Sequence, residues 1–410
     1  MKSGTPFVDT MQSAGAHGVD RRTMLAGISA MVAAAAWPTD ARGERVPSGK
    51  PDRHPTGSGQ RLRRIATEEA FTVPEIAEAI RDVVQRGGSN LDLKLLSLIY
   101  GEPAESPPTT LQTGATNRDA LARGFLAQLL DIDAGRLAVM DANGVDVHLL
   151  SLTTPGVQMF EPDKAVALAR LANDRLIEAV RRHPTRFAGL ASFAPQDVAA
   201  ATKEMERAIN VLKLNGFLVN SHTGNGYLDE PRFWPILEAA EALGAPLYIH
   251  PRAPSDGMAA PFRDYRMEGS IWGYGVEVGT HAVRLMLSGV LDRFPRLRIV
   301  LGHMGEALPF WLWRLDYMAA PGSRAALRNQ LKPSEYMQRN FAITTSGLED
   351  PLVLRFCMDK VGLDRVMWAI DYPYQPTAPA VAFLDSAPLS EHERTQIGSR
   401  NAERIFRIVG

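Results

Sequence analysis

Short apolar runs alternate with amphipathic segments along most of the chain after residue 64. Between the runs, segments such as 162–184 repeat apolar residues at three- and four-residue spacing, which predicts helices. Eight near-continuous apolar strands, most of them followed by a helix, predict an α/β fold of the (β/α)8, TIM-like barrel type. The eight predicted strands are 63–71, 145–153, 187–195, 216–222, 246–252, 297–305, 341–347 and 365–373.

A doubly wound open sheet is the alternative architecture. It would place a glycine-rich phosphate loop after the first strand, and the sequence there, "EEAFTVPE", is not such a loop. One segment, from about residue 86 to 119, breaks the alternation of strands and helices. We interpret it as an insertion after the first strand, over the mouth of the barrel, because long irregular segments in compact domains are usually functional.

The first residues have the pattern of an export signal. Arg21 and Arg22 precede an Ala-rich apolar run, 24–37, which is too short to span a bilayer. Paired arginines before such a run resemble a twin-arginine signal, so we expect export to the periplasm, or a cytoplasmic protein if the signal is not used. The predicted divisions are an export signal at 1–43, a flexible linker rich in Pro, Gly and Ser at 44–63, and the barrel domain at 64–410.

Composition narrows the class of partner. The 410 residues are 45% hydrophobic and 22% charged, with a net charge of −1 and no basic run in the body of the chain. This balance argues against nucleic acid as a partner, and we expect no stable membrane anchor in the mature chain. The single cysteine, Cys357, excludes an intrachain disulfide and a cysteine zinc cluster. Its apolar neighbours predict a buried side chain.

Ionisable residues stand at the ends of four different predicted strands. Glu68 and Glu69 end the first strand and His250 ends the fifth. His303 ends the sixth, with Glu306 close behind it, and Asp371 ends the eighth. In a barrel of this type the carboxyl ends of the strands meet at one face, where the chemistry occurs. Carboxylates and imidazole together are ligands for a divalent ion, so Glu68, His250 and Asp371 are predicted to bind one metal.

Longer motifs resemble a known family. The blocks "GAPLYIHPR", "LGHMGEALPFWLWRLD", "ITTSG" and "VMWAIDYPY" are similar to those of the amidohydrolase-related metal-dependent decarboxylases, and most similar to the 2,3-dihydroxybenzoate and gamma-resorcylate decarboxylases. The resemblance runs from about residue 65 to the end of the chain. It implies a barrel of the metal-dependent hydrolase superfamily, one divalent metal per chain and non-oxidative loss of carbon dioxide from an ortho-hydroxylated aromatic acid. It also implies a homodimer or homotetramer.

The resemblance also assigns roles to residues. Glu68, His250 and Asp371 match the ligands of the first, fifth and eighth strands. The matches in the sixth-strand block are His303, Glu306 and Arg314, which stand at positions that support the metal ligands or contact the substrate. Many relatives have a second ligand, a histidine, two residues after the first glutamate, and this chain has Ala70 there. Loss of a nitrogen ligand favours magnesium or manganese over zinc. Glu69 is expected to face the barrel wall and to form a hydrogen bond or ion pair there.

The family chemistry predicts Asp371 as the acid that protonates the ring carbon, with His303 hydrogen-bonded to Glu306 as the alternative proton source. Arg314 is expected to hold a substrate carboxylate or hydroxyl, and the alternative is an ordinary ion pair with a neighbour such as Asp316. Two other functions remain open from sequence. The same metal could activate water against a lactone, ester or amide. An exported binding protein without turnover is the other, although it would have no reason to keep this many converging charges.

Overall fold

The computed structural model of the protein describes residues 61–88, 90–101 and 113–409. Eight parallel strands follow one another in chain order around one sheet, which forms the nearly closed barrel that the sequence predicts. The predicted signal and most of the predicted linker lie outside the described residues. The strands are β1 (Ile65–Phe71), β2 (Val147–Leu152), β3 (Phe187–Ser192), β4 (Gly216–Asn220), β5 (Leu247–His250), β6 (Ile299–Leu301), β7 (Phe341–Thr344) and β8 (Val366–Met367).

At least one helix stands between each pair of consecutive strands. Four of the helices begin at a proline, whose fixed φ and missing N–H suit the first helical position. No helix in the described part of the chain is long and apolar enough to cross a membrane. The helices of eight or more residues are α1 (Pro74–Arg86), α2 (Asp92–Tyr100), α3 (Thr113–Leu130), α4 (Ala134–Asn143), α5 (Pro162–Arg182), α6 (Val198–Asn210), α7 (Trp234–Leu243), α8 (Gly273–Leu287), α9 (Leu308–Met318), α10 (Pro333–Asn340), α11 (Pro351–Val361) and α12 (Thr377–Ser386).

The hydrophobic core has two layers. The larger layer lies between the outside of the barrel and the helices, and it includes Cys357, which is buried as its neighbours predict. The smaller layer fills the barrel interior with side chains from all eight strands. The last helix, Asn401–Phe406, adds Ile405 and Phe406 to that interior layer. The interior is therefore packed with apolar groups and leaves the carboxyl ends of the strands for polar ones.

The seam between β1 and the segment after β8 is closed largely by side chains. The register of β1 against β2 shifts between Ala66 and Glu69, which marks a β-bulge at Thr67 and Glu68. Across the seam the Thr67 hydroxyl donates to the Trp368 carbonyl at 2.8 Å. The carboxylate of Glu69 accepts the backbone N–H groups of Ile370 and Tyr372, each at 3.0 Å. One backbone bond, from Ala70 N–H to the Tyr372 carbonyl at 2.7 Å, completes the contact.

The segment predicted as an irregular insertion contains helix α2 and the start of α3. Asp92, the first residue of α2, forms an ion pair with Arg252, just beyond the end of β5, and both side chains are 3% exposed. The other Asp92 oxygen accepts the Ala253 N–H at 3.0 Å. The helix is therefore attached to the loop that follows His250.

Replacing Asp92 with alanine should lower the free energy of unfolding by about 3–5 kcal/mol, because the Arg252 guanidinium is then buried without a counter-charge. Urea unfolding measures the change. Asp82→Ala is the control, because the Asp82 carboxylate is 59% exposed and lies 4.0 Å from Lys164. That substitution should cost less than about 1 kcal/mol. Equal effects of the two substitutions would contradict an anchoring role for Asp92.

Candidate metal centre

The three predicted ligands converge at the carboxyl face of the barrel. Glu68 from β1, His250 from the end of β5 and Asp371 after β8 each offer one ligand atom, and these atoms all lie within 4.8 Å of one another. The His250 Nε2 atom is 3.6 Å from Glu68 Oε1. Glu68 and His250 are buried, and the Asp371 side chain is 14% exposed.

The protonation pattern of the cluster suits a cation. The Nδ1 atom of His250 is 2.9 Å from the Pro251 carbonyl and donates its proton there, which directs the Nε2 lone pair toward Glu68. The Oε1 atom of Glu68 is buried and has no hydrogen-bond partner in the described residues. A buried carboxylate oxygen facing an imidazole lone pair is costly unless a cation lies between them. The donors present therefore fit a divalent metal.

Neighbouring residues leave room for the Glu68 carboxylate and hold its other oxygen. A Cβ added at Gly302 would lie 2.7 Å from Glu68 Oε2, so only glycine fits there. That oxygen accepts hydrogen bonds from the hydroxyls of Tyr248, Ser346 and Thr344. These three hydroxyls were not predicted from the sequence. Tyr248 was identifiable, because it precedes His250 by two residues and so faces the same side of β5.

His303 and Glu306 occupy one tight turn after β6. The φ angles of His303, Met304, Glu306 and Ala307 are 48°, 54°, 53° and 63°, a left-handed conformation that L-residues adopt at a cost. The turn brings His303 Nδ1 to 2.9 Å from Glu306 Oε1, as the spacing of the two residues predicts. The other ring nitrogen of His303 is 3.7 Å from Asp371 Oδ2. His303 thus lies between two carboxylates, one of them in the ligand cluster.

The ionisable groups of the cluster change one another's pKa values. Burial raises the pKa of Asp371 to about 6, although the positive charge of the nearby His303 acts to lower it. Burial acts to lower the pKa of His303, but the carboxylates of Glu306 and Glu68 raise that pKa well above its usual range. Burial acts to raise the pKa of Glu68, but His303, His250 and the two nearest hydroxyls lower it overall. At neutral pH the cluster therefore pairs a cationic His303 with ionised carboxylates.

Glu69 lies on the other side of β1 from Glu68, as predicted, and forms hydrogen bonds in the barrel wall. It is fully buried, which raises its pKa to about 8 against the opposing effect of the two backbone N–H groups. Ala70 is buried and pairs with Ser151 of β2. Its methyl side chain offers no metal ligand.

Arg314 is not part of the cluster within this chain. It is exposed on helix α9, and no hydrogen bond or ion pair involves it among the described residues. The alternative ion pair with Asp316 does not form, because Asp316 instead accepts the N–H and hydroxyl of Ser334.

Comparisons with known proteins agree with this geometry. A family model described as Amidohydrolase matches residues 127–408. The chain is 38% identical to gamma-resorcylate decarboxylase of Rhizobium radiobacter over 296 residues, which cover 69% of this chain and 89% of that protein. A crystal structure of 5-carboxyvanillate decarboxylase from Sphingomonas paucimobilis is 52% identical, with a TM-score of 0.79 over 85% of this chain and 100% of that one.

A third relative includes a metal. The 5-carboxyvanillate decarboxylase of Novosphingobium aromaticivorans, in complex with manganese and 4-hydroxy-3-methoxy-5-nitrobenzoic acid, is 38% identical with a TM-score of 0.78 over 86% of this chain and 98% of that one. These relatives are metal-dependent decarboxylases of aromatic acids. They confirm the predicted function, a carboxy-lyase, and not the alternatives of a hydrolase or a binding protein without turnover. The chain belongs to the amidohydrolase family, and it is an enzyme of the decarboxylating branch of that family.

Proposed function

We propose that this enzyme removes carbon dioxide from an aromatic acid whose carboxylate is ortho to a hydroxyl, and that 5-carboxyvanillate is the substrate to test first. The observation that carries the proposal is the Glu68–His250–Asp371 cluster, with its unpartnered carboxylate oxygen beside a cationic His303. The choice of substrate is supported by the 52% identity to a 5-carboxyvanillate decarboxylase along the whole length of that protein.

Glu68, His250 and Asp371 are proposed to hold one divalent metal. When bound, such an ion supplies a Lewis acid that orients a carboxylate and its ortho oxygen and stabilises negative charge on them. Magnesium or manganese is favoured over zinc, because Ala70 offers no ligand and the remaining set has two carboxylates for one imidazole. Relatives that crystallised with manganese support the same choice.

The proton is proposed to come from Asp371. In the metal-free protein, burial raises the pKa of Asp371 to about 6, which brings this carboxyl closer to the neutral range that suits a general acid. The proton moves from Asp371 to the ring carbon that bears the carboxylate, and a C–H bond forms there. The bond from that carbon to the carboxylate then breaks, its electron pair restores the aromatic ring, and carbon dioxide leaves.

His303 is proposed to supply Asp371 with that proton and remains the alternative direct donor. Its Nε2 atom is 3.7 Å from Asp371 Oδ2, and Glu306 stabilises the protonated ring from the other side. After turnover, His303 can pass a proton to Asp371 and regain one from solvent, since its side chain is 23% exposed. This arrangement lets one group hold the proton while the other delivers it.

The exposed aromatic face of α9 supports a homodimer or homotetramer. Phe310, Trp313 and Tyr317 are 72%, 72% and 71% exposed, and exposed apolar patches of this kind mark interfaces between proteins. Arg314 lies among them and forms no hydrogen bond or ion pair with the residues that the structure describes, and it is the proposed contact for a substrate carboxylate or hydroxyl. Light scattering of the purified protein measures the oligomeric state, and a monomer would contradict this assembly.

Export through a twin-arginine-type signal at 1–43, with the periplasm as the destination, remains a proposal. It is supported by Arg21 and Arg22 before the apolar run at 24–37. Fusing this segment to a reporter that acts only in the periplasm tests it, with Lys–Lys in place of the arginine pair as the control.

The function is tested with residues 44–410 loaded separately with magnesium, manganese and zinc. Carbon dioxide release is followed from 5-carboxyvanillate, 2,6-dihydroxybenzoate and other ortho-hydroxybenzoates. We expect metal-dependent release, fastest from 5-carboxyvanillate and with manganese or magnesium. Hydrolysis of lactones or esters, with no release from any of the acids, would overturn the proposal.

Replacing Asp371 with asparagine should lower kcat by about 10²–10⁴-fold, because an amide cannot donate the proton. Metal content is measured alongside turnover, so that loss of the ion is distinguished from loss of the acid. Asp385→Asn is the matched control, because Asp385 forms a partly exposed ion pair with Arg64 away from the cluster. Full turnover by metal-loaded Asp371→Asn would assign the donor role to His303.

Metal affinity should depend on pH. The proton competes with the metal for Asp371, whose pKa in the metal-free protein is raised to about 6. Below that pH the apparent Kd for manganese should rise about tenfold per pH unit, and above it the dependence should flatten. Free manganese in equilibrium with the protein is measured by electron paramagnetic resonance. An affinity that is constant down to about pH 4.5 would contradict a raised Asp371 pKa.

A further inference from the structure

The proposed mechanism gives no role to the fully buried carboxyl group of Glu69. Glu69 is 0% exposed, and it follows Glu68 directly in the chain. Its two oxygens have separate partners, with Oε1 accepting the Ile370 N–H and Oε2 the Tyr372 N–H, each at 3.0 Å. These are the residues immediately before and after Asp371. One carboxyl group therefore binds the backbone on both sides of Asp371, a proposed metal ligand.

The backbone at Asp371 needs such a restraint. Its φ angle is 76°, in the left-handed region that non-glycine residues seldom adopt. Strand β8 ends at Met367, so no regular strand ladder extends to this residue. Within the described residues, the bonds that tie the stretch from 370 to 372 to β1 are the two to Glu69 and the one from Ala70 N–H to the Tyr372 carbonyl.

Two other roles for Glu69 fit the contacts less well. Glu69 pairs with Leu150, which belongs to the outer core layer, so it faces away from the cluster and is not a further ligand. An ion pair with Arg136 is the second possibility. Arg136 instead donates to the carbonyls of Ala70, Gln128 and Asp131, and no ion pair joins it to Glu69 in the described part of the chain.

We propose that Glu69 is a positioning residue that holds Asp371 in its left-handed conformation, so that the Asp371 carboxylate meets Glu68 and His250. The two adjacent glutamates of β1 thus have different roles. Glu68 belongs to the ligand cluster, and Glu69 holds Asp371 in place from across the seam. This inference rests on the proposed role of Asp371 as a metal ligand.

The test is manganese binding by the metal-free protein without substrate. Glu69→Gln keeps the side-chain length, but an amide NH₂ cannot accept from an N–H, so either Ile370 or Tyr372 loses its acceptor. We expect the Kd for manganese to rise about 10- to 100-fold, as for other residues that orient metal ligands, and the resonance spectrum of the bound ion to change.

Thr67→Val is the matched control. It removes the other side-chain hydrogen bond of the same seam, to Trp368, but leaves the neighbours of Asp371 untouched. Thermal unfolding is measured for both variants. Manganese affinity of Thr67→Val should stay within about threefold of the wild type, even where stability falls. Wild-type affinity and spectrum in a folded Glu69→Gln protein would overturn the inference and leave Glu69 a purely structural residue.

If Glu69→Gln does not fold, hydrogen exchange in the wild-type protein tests whether Glu69 holds the backbone beside Asp371. The Ile370 and Tyr372 amides should exchange slowly in the metal-free state, because Glu69 holds them before any ion binds. Rapid exchange of both would overturn the inference. Neither measurement needs a substrate, so an enzyme that binds manganese but decarboxylates none of the acids would refute the proposed function and leave the role of Glu69 standing.

Discussion

The site depends on how the first strand of the barrel meets the segment that follows the last. Among the described residues, one backbone hydrogen bond, from Ala70 N–H to the Tyr372 carbonyl, joins β1 to that segment. Thr67 and Glu69 supply further hydrogen bonds from their side chains, and the bulge directs Glu68 toward the cluster. The contacts of Glu69 also fix the stretch that carries Asp371. The hydrogen bonds that close the barrel therefore also bring Glu68 and Asp371 together.

The carboxyl face of the barrel concentrates features that are costly on their own. Within the described part of the chain it holds a carboxylate oxygen that has no hydrogen-bond partner, left-handed non-glycine residues at 303, 304, 306 and 371, and an imidazolium between two carboxylates. The apolar interior of the barrel and the outer core layer stabilise the fold enough to retain them. Strained backbone conformations persist only where many surrounding contacts enforce them, and they are most common at active sites. A divalent cation bound among the three ligands would offset much of the electrostatic part.

The sequence was sufficient for the fold and for the residues of the cluster, because both follow from strand periodicity. Polar residues at the ends of parallel strands must meet at one face, so Glu68, His250, His303 and Asp371 could be brought together without coordinates. The helices inside the segment 86–119 were not predicted, since Gly87, Gly88 and the Gly- and Pro-rich run at 101–108 give the segment the composition of a loop. The hydrogen bonds of Glu69 to the neighbours of Asp371 were also not predicted. They join a side chain to backbone groups about 300 residues away, and no local sequence pattern encodes such a contact. Arg314 was matched by motif alone, and motif similarity does not say which way an exposed side chain faces.

Anomalous diffraction from crystals soaked in manganese tests the central claim most directly, because it locates the metal independently of activity. The account predicts one strong peak per chain, bonded to Glu68 Oε1, His250 Nε2 and the Asp371 carboxylate. A peak at another position, or one at the cluster without Asp371 as a ligand, would contradict both the proposed centre and the role of the seam in forming it.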